Sequence, residues 1–595
     1  MAGKTKLELT WIGKDKRPRL EPRILIEDPE FSYHAETRRE GDYFDNMLIH
    51  GDNLLALKSL ETDPNVRGKV KCIYIDPPFN TQQAFPNYDD GIEHSLWLSL
   101  MRERLEILRN LLSNDGSLFV HIDDNELAYL TVICDEIFGR SNRISIVAFK
   151  QGSATGHKAI NPGVVSTSNF ILIYARQKSS WKPNRLFVKR ADGRDTRYNK
   201  FIVNRQDHHS QWHFTTLMKA FSEHCGLPEK GIKKALGDEF ERSITDFVHE
   251  NADSVIQPAR PDYNAVSAEA RKIIDQSRDK PDTVLLLERG GSLSDMYFIG
   301  GQKILFYRDK LKFIDGKWES GEPLTSIWDD ILSNNLHNEG NVEFPKGKKP
   351  EALIKRCIEL TSEVGDLVLD SFGGSGTTGA VAHKMGRRWI MVELGEHAIT
   401  HVVPRMQKVI DGTDKGGVTE AMNWKGGGGY RFLKLGPSLL QKDNWGNLVI
   451  NKDYKPEMLA EAMCKHFNYT YAPSAEHYWM HGKATENAFI YVTTNSLTFD
   501  QLKALSDDVG EERSLLVCCR AYEAAGDNQM NLTIKKIPRV VLDRCEWGKD
   551  DYSLKIAALP VQDEESETVE ITAAKPRKNK ASVAQANLFD GTEEN

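Results

Sequence analysis

Short apolar runs ending in an acid or a glycine turn set the rhythm of this chain. Cys72, Ile73, Tyr74 and Ile75 predict a buried strand that delivers Asp76, Pro77, Pro78 and Phe79 at its C-terminal end. Far downstream, Leu367, Val368 and Leu369 read as a second buried strand, closed by Asp370. A loop with Gly373, Gly374 and Gly376 follows, then a helix from about Thr377 and Thr378, then a strand from Trp389 to Val392 ending in Glu393. Trp97, Met101, Leu105, Leu108 and Leu112 recur at spacings of 4, 4, 3 and 4, which predicts an amphipathic helix packed on a sheet. Asn114-Asp115-Gly116 ends it, and Leu118 to Ile122, Ile144 to Phe149 and Phe170 to Tyr174 supply further strands. The pattern is α/β: a doubly wound, mostly parallel sheet, whose ligands bind at the carboxyl ends of the strands.

The residues at two of those ends suggest chemistry. Consecutive prolines fix φ and remove two N–H donors, so the turn after Asp76 is stiff and its carbonyls are held in place. A carboxylate, a fixed carbonyl and the aromatic face of Phe79 suit a planar ring bearing an amino group. At the second end, glycines let backbone approach a ligand closely, and an acid closing the next strand suits ribose hydroxyls. Asp370 and Glu393 lie 23 residues apart (393 − 370), about the length of a βαβ unit. A nicotinamide dinucleotide would want G-x-G-x-x-G. The loop offers Gly374, Gly376 and then Gly379, so glycines alone leave that alternative open. The pairing with Asp-Pro-Pro-Phe, for which a dehydrogenase has no use, tells against it.

Together, Asp76-Pro-Pro-Phe79 and the Asp370-Ser-Phe-Gly-Gly-Ser-Gly-Thr377 loop resemble the β group of S-adenosylmethionine-dependent DNA amino-methyltransferases, in which the catalytic motif precedes the cofactor motif. Further segments look like the modification (Mod) subunits of type III restriction-modification systems: LTWIGKD near the N-terminus, HIDDNE at His121, DEIFG at Asp135, and NLTIKKIP with DDYSL near the C-terminus. The stretch from Ser326 to Ile358, with Lys349-Pro350 opening a helix, resembles the lead into the cofactor strand. The resemblance implies a permuted Rossmann-like fold and S-adenosyl-L-methionine as cofactor. It implies cofactor contacts from Asp52, Asp370, Phe372, Gly374, Gly376, Thr377 and Glu393, with Asp52 beside the adenine. Catalysis would fall to Asp76, Pro77, Pro78 and Phe79, acting on the N6 amine of an adenine flipped out of duplex DNA. Cytosine N4 and an inactive DNA-recognition scaffold are the alternatives. Cytosine enzymes of the superfamily more often carry Ser at the position of Asp76.

Composition sets the remaining bounds. At 595 residues, 40% hydrophobic and 28% charged, the chain is too long for one ordinary core. The division that the resemblance implies is an N-terminal extension over 1–45, the catalytic half of the core over 46–178 and an inserted target-recognition domain over 179–322. The cofactor half of the core over 323–415, a smaller α/β domain over 430–560 and a disordered tail over 561–595 complete it. Eight cysteines without a C-x-x-C pair, and no long apolar run, point to a reducing bacterial cytoplasm and no membrane. His208, His209 and His213 lack a zinc-type cysteine partner, so no metal is expected.

Net charge is −8, yet ten basic residues against two acids fall between Arg176 and Arg205. Arg185, Lys189, Arg190, Arg194 and Arg197, interleaved with aromatics, are the expected DNA contacts. On resemblance, a homodimer and a helicase-nuclease restriction subunit are the expected protein partners. In the polar tail, Gln585, Leu588 and Phe589 resemble the short peptides that dock bacterial DNA enzymes on the replication sliding clamp.

Overall fold

The computed structural model describes residues 8–78, 94–152, 163–291, 293–331, 336–340, 344, 347–523 and 529–553. Phe79 and the tail with Gln585, Leu588 and Phe589 lie outside these residues. Eleven strands form the central sheet. They are β1 (Leu25–Glu27), β2 (Tyr33–His34), β3 (Asn46–His50), β4 (Val70–Ile75), β5 (Leu112–Ile122), β6 (Arg143–Lys150) and β7 (Ser168–Ala175), then β8 (Ile327–Trp328), β9 (Leu367–Asp370), β10 (Arg388–Glu393) and β11 (Gly429–Leu435). Their order is β1-β11-β3-β10-β9-β4-β5-β7-β6-β8, with β2 also pairing β11. The six strands from β11 to β5 run parallel. β7 enters antiparallel between β5 and β6.

Apolar side chains on both faces of the central strands require a helical layer on each side. Helices α1 (Asn53–Glu61), α2 (His94–Leu111) and α3 (Leu127–Cys134) cover one face, burying Leu57, Trp97, Leu105 and Ile133. Helices α4 (Glu351–Thr361), α5 (Thr377–Lys384) and α6 (Val403–Ile410) cover the other, burying Ile354, Val381 and Met406. Each such buried aliphatic side chain contributes about 1.5–3 kcal/mol. The expected helix from Trp97 ends at Leu111, and Leu112 already belongs to β5, so Asn114-Asp115-Gly116 lies within a strand.

Two expected boundaries fall inside the sheet. Past Gly426 to Gly429, where the separate C-terminal α/β domain is expected to begin, β11 pairs parallel with β3 and buries Tyr430, Phe432 and Leu433, so the core runs on to Leu435. Residues of the N-terminal extension form β1 and β2, both antiparallel to β11. An apolar strand left at a sheet edge exposes unpaired backbone, and these two short strands cover it.

Between β7 and β8 the chain leaves the sheet and builds a second one, of six strands. Its order is Phe214–Thr216, Lys200–Ile202, Val255–Ala259, Gln302–Phe306, Met296–Ile299 and Leu285–Leu287. Phe221, Ile244, Phe247 and Val255 pack there in a cluster of their own. After Leu435, a five-stranded sheet containing Ala488–Val492 and Ser514–Cys519 packs with helices Pro456–Phe467 and Phe499–Val509.

Four charged side chains with no solvent exposure lock the helices of the second face. Glu351, the first residue of α4, meets Arg405 of α6 at 2.7 Å and Lys384 of α5 at 2.8 Å. Lys384 also meets Asp414 at 2.7 Å. Arg405 donates to the Ser375 carbonyl (3.1 Å) and to Thr377 Oγ1 (2.9 Å), holding the glycine loop from beneath. Removing one partner of a buried ion pair leaves an uncompensated charge, at a cost of about 3–5 kcal/mol. Glu351→Ala should therefore lower the unfolding free energy by about 3–5 kcal/mol in a denaturant titration. A loss below about 1 kcal/mol, typical of an exposed pair, would contradict the network's role.

Candidate functional site

The carboxyl ends of four adjacent parallel strands carry the acids singled out from the sequence. β3 leads to Asp52, β10 ends in Glu393, β9 ends in Asp370, and β4 leads to Asp76. Parallel pairing of β9 with β4, Leu369 opposite Ile73, joins the two motifs that the sequence separates so widely.

Asp370 folds the glycine loop. Its Oδ1 accepts from the Phe372 amide (2.9 Å) and its Oδ2 from Thr378 Oγ1 (2.5 Å). Burial pushes its carboxyl up to about 7, with the two hydrogen bonds opposing and Asp76 and Glu393 adding to the rise. Gly374, at φ +51°, donates its amide to Glu393 Oε2 (2.7 Å), and Gly395 donates to Oε1 (2.9 Å). His397 Nε2 lies 3.0 Å from the same oxygen, out of line for a hydrogen bond. Gly376, at φ +77°, is required for another reason than ligand approach: a Cβ there would stand 2.8 Å from Val402 Cγ1. Thr377 is buried and turned to Arg405, while Phe372 packs partly on the core beneath the loop.

At the end of β4, Asp76 is buried and its Oδ2 meets Lys349 Nζ at 2.5 Å. Asp76 Oδ1 is buried without a hydrogen-bond partner among the described residues. Burial raises its pKa and Lys349 opposes the rise. The Pro78 carbonyl accepts from Trp97 Nε1 (2.7 Å), so the second proline of the turn is tied to α2. Lys349 was legible as the residue before a helix-opening proline, but its pairing with Asp76 was not. Ser371 Oγ is a second buried polar atom at this edge with no partner among the described residues.

Other expected site residues have structural partners. Asp52 caps α1: its Oδ1 accepts from Leu54 and Leu55 amides (2.9 and 3.0 Å), and its Oδ2 accepts from the Tyr552 amide (2.9 Å). In the basic run, Lys189 pairs with Glu319 (2.8 Å), Arg190 with Glu322 and Asp192, and Arg197 with Asp195 (2.6 Å). Two acids from elsewhere in the fold, Glu319 and Glu322, thus join the run's own Asp192 and Asp195 in pairing its basic side chains. Arg185 is exposed over Phe187, and Arg194 is half-buried, neither in an ion pair among the described residues. The His208 and His209 rings lie tilted with centroids 4.1 Å apart, and no three metal-ligating side chains converge among the described residues.

A family model described as DNA methylase matches residues 70–403, more than half of the chain. The chain is 34% identical over 427 residues to the "Probable type III restriction-modification enzyme HindVI Mod subunit" of Haemophilus influenzae, covering 67% of this chain and 55% of that one. It is 27% identical over 456 residues to the type III restriction-modification enzyme EcoP15I Mod subunit of Escherichia coli, covering 66% and 65%. The chain thus spans between half and two thirds of the length of these curated relatives. Among solved structures, the M1.HpyAVI–SAM complex is 12% identical with a TM-score of 0.29, covering 60% of this chain and 98% of that one.

The raised pKa of Asp370 has a consequence for stability. A carboxyl whose folded pKa lies above its unfolded one stabilises the fold while protonated. That contribution is fully present below the ordinary carboxylate pKa of about 4 and is lost as pH rises through about 7. Asp370→Asn keeps a neutral group with the same two partners at every pH. Its melting temperature relative to the parent should therefore climb steadily across that interval in a pH series of thermal melts. A difference independent of pH would refute the assignment.

Proposed function

Because this chain belongs to the DNA methylase family, we propose that it transfers a methyl group from S-adenosyl-L-methionine to the N6 amine of an adenine flipped out of duplex DNA. In this reading it is the modification and recognition subunit of a type III restriction-modification system, as its relatives' names suggest. The observation that supports it most is Asp76 Oδ1, buried and without a hydrogen-bond partner among the described residues, beside a glycine loop pinned to Glu393. No ordinary strand-ending turn needs a buried carboxylate oxygen left open.

The residues at the edge fit the cofactor. Glu393 is fixed by two backbone amides with lone pairs left for hydroxyls, Gly374 turns the loop over it at φ +51°, and Ser371 Oγ is a buried donor without a partner among the described residues. When bound, S-adenosylmethionine supplies an electrophilic methyl group on a sulfonium, which departs as a neutral thioether. The chain's own task is to position and orient. The adenine amine is a poor nucleophile because its lone pair is delocalised into the ring. Asp76 Oδ1 and the Pro77 carbonyl each accept one N–H, turning the lone pair toward the methyl carbon. Once the amine carries the methyl group it becomes acidic, and Asp76 would accept its proton and pass it to solvent. Trp97 holds the turn still through the Pro78 carbonyl.

The inserted six-stranded unit is the proposed target reader. A homodimer, a helicase-nuclease partner and a clamp contact through Gln585, Leu588 and Phe589 complete the proposal, each resting on sequence resemblance.

Asp76→Ala should lower methyl transfer to duplex DNA by about 10²–10³-fold or more, the range for loss of a preorganised polar contact. Cofactor affinity by calorimetry should stay within about tenfold, or about 1.4 kcal/mol. Lost cofactor binding, or near-normal turnover, would refute the role. For the basic run, Arg185→Ala with Arg194→Ala should flatten the salt dependence of DNA binding by about 0.9 in log–log slope per lost phosphate contact. Lys189→Ala and Arg197→Ala remove side chains already paired with acids and should change the slope less. Equal slopes for both pairs would show that internal pairing does not decide which residues meet phosphate.

A further inference from the structure

We propose that Lys349 is a positioning residue that fixes Asp76 as an oriented anion, with Oδ2 held by the ammonium and Oδ1 presented to the incoming amine. The inference rests on the reading of Asp76 as the amine's acceptor. Its geometric basis is direct. Lys349 Nζ lies 2.5 Å from Asp76 Oδ2, and both side chains are 12% exposed. A carboxylate with two rotational states would present either oxygen; a short charge-assisted contact to one of them selects the other. The opposite oxygen is the buried one without a partner among the described residues.

The position of Lys349 is itself determined by the fold. Pro350, in an extended conformation, caps α4, and Glu351 begins the helix within the buried network of Arg405 and Lys384. The ammonium therefore hangs from a backbone that three helices hold in place. Its electrostatic surroundings make it necessary. Asp370 ends the strand beside β4 and interacts unfavourably with Asp76, and Glu393 adds to the same negative edge. On the other side, His121 of β5 is kept neutral by burial and by Lys349, with its ring nitrogens near Tyr74 and Asn169. Among the described groups facing this edge, Lys349 is the cation that offsets the burial of Asp76. Without it burial would act on the carboxyl unopposed and favour its protonated form, and a protonated oxygen would compete as a donor where an acceptor is needed.

The test is the pH dependence of methyl transfer to duplex DNA by the full chain, compared for the parent, Lys349→Met and Lys349→Arg. An opposite charge at this distance lowers a carboxyl pKa by about 1–3 units. The acid limb of kcat should accordingly move up by about 1–3 units in Lys349→Met, so that raising the pH recovers part of the lost rate. Lys349→Arg, which keeps the charge, should leave the acid limb near that of the parent. A merely structural lysine would lower the rate equally at every pH, and an unmoved limb in Lys349→Met overturns the proposal. A parallel measurement does not depend on turnover. Infrared difference spectra of Asp76→Asn against its parent, taken over a pH series with Lys349 and with Lys349→Met, report the pH at which Asp76 ionises. Ionisation at a higher pH with Lys349→Met supports the inference; ionisation at the same pH in both overturns it. If the parent transfers no methyl group while the infrared contrast holds, the proposed reaction has failed and the Lys349–Asp76 coupling has not.

Discussion

The parallel pairing of β9 with β4 is the contact on which the site depends. Each strand is short, buried on both faces and incomplete alone, since each leaves half its backbone groups needing a neighbour. Their union sets Asp370 and Asp76 at the same edge, and it does so across the whole inserted segment. The order of motifs along the chain is therefore of little consequence to the chemistry. Loop-closure entropy grows slowly with loop length, so a large insertion between the two halves costs little once the sheet is formed. This is why a separate six-stranded unit can be accommodated between β7 and β8 without disturbing the strand ends.

Bringing acids together at one edge creates an electrostatic problem, and each is solved differently. Asp370 is held toward its protonated form by burial and spends its oxygens on the loop. Glu393 accepts from two backbone amides, which fix its direction. Asp76 meets a cation on one oxygen, and its other oxygen is buried without a partner among the described residues. The fully buried Glu351, Lys384, Arg405 and Asp414 lie one layer behind. Their desolvation is costly unless geometry is closely matched, so they specify one arrangement of α4, α5 and α6. That arrangement carries both the glycine loop, through Arg405, and Lys349, through the start of α4.

Sequence was informative where local pattern decides structure. The apolar runs at Cys72, Leu367 and Trp389 became strands β4, β9 and β10, and the helix after Gly376 begins at Thr377 as expected. It was less informative where a partner is distant. The glycines before Tyr430 look like the end of a domain, yet they lead into a strand whose neighbour, β3, lies far back in the chain. The basic run looks uncompensated because Glu319 and Glu322, the acids opposite Lys189 and Arg190, come more than a hundred residues later. Gly376 illustrates the same limit: its sequence context suggests a ligand, while the atom that excludes a side chain belongs to Val402.

Asp52 joins these local and distant effects. As the residue before α1 it is a favourable N-cap, and its Oδ1 does accept the two expected amides. Its second oxygen is reached from the far end of the chain by the Tyr552 amide. Arg23, buried beside Glu21, ties the same segment down through Asp550 and the Lys549 carbonyl. Arg104 of α2 lies 3.8 Å from Asp52 and donates to Asn53, so the carboxylate keeps a cation nearby. A carboxylate offers about four acceptor positions, and three backbone amides leave about one for a further donor. An acid in this state cannot rotate: its direction is set by α1 and by the segment around Tyr552.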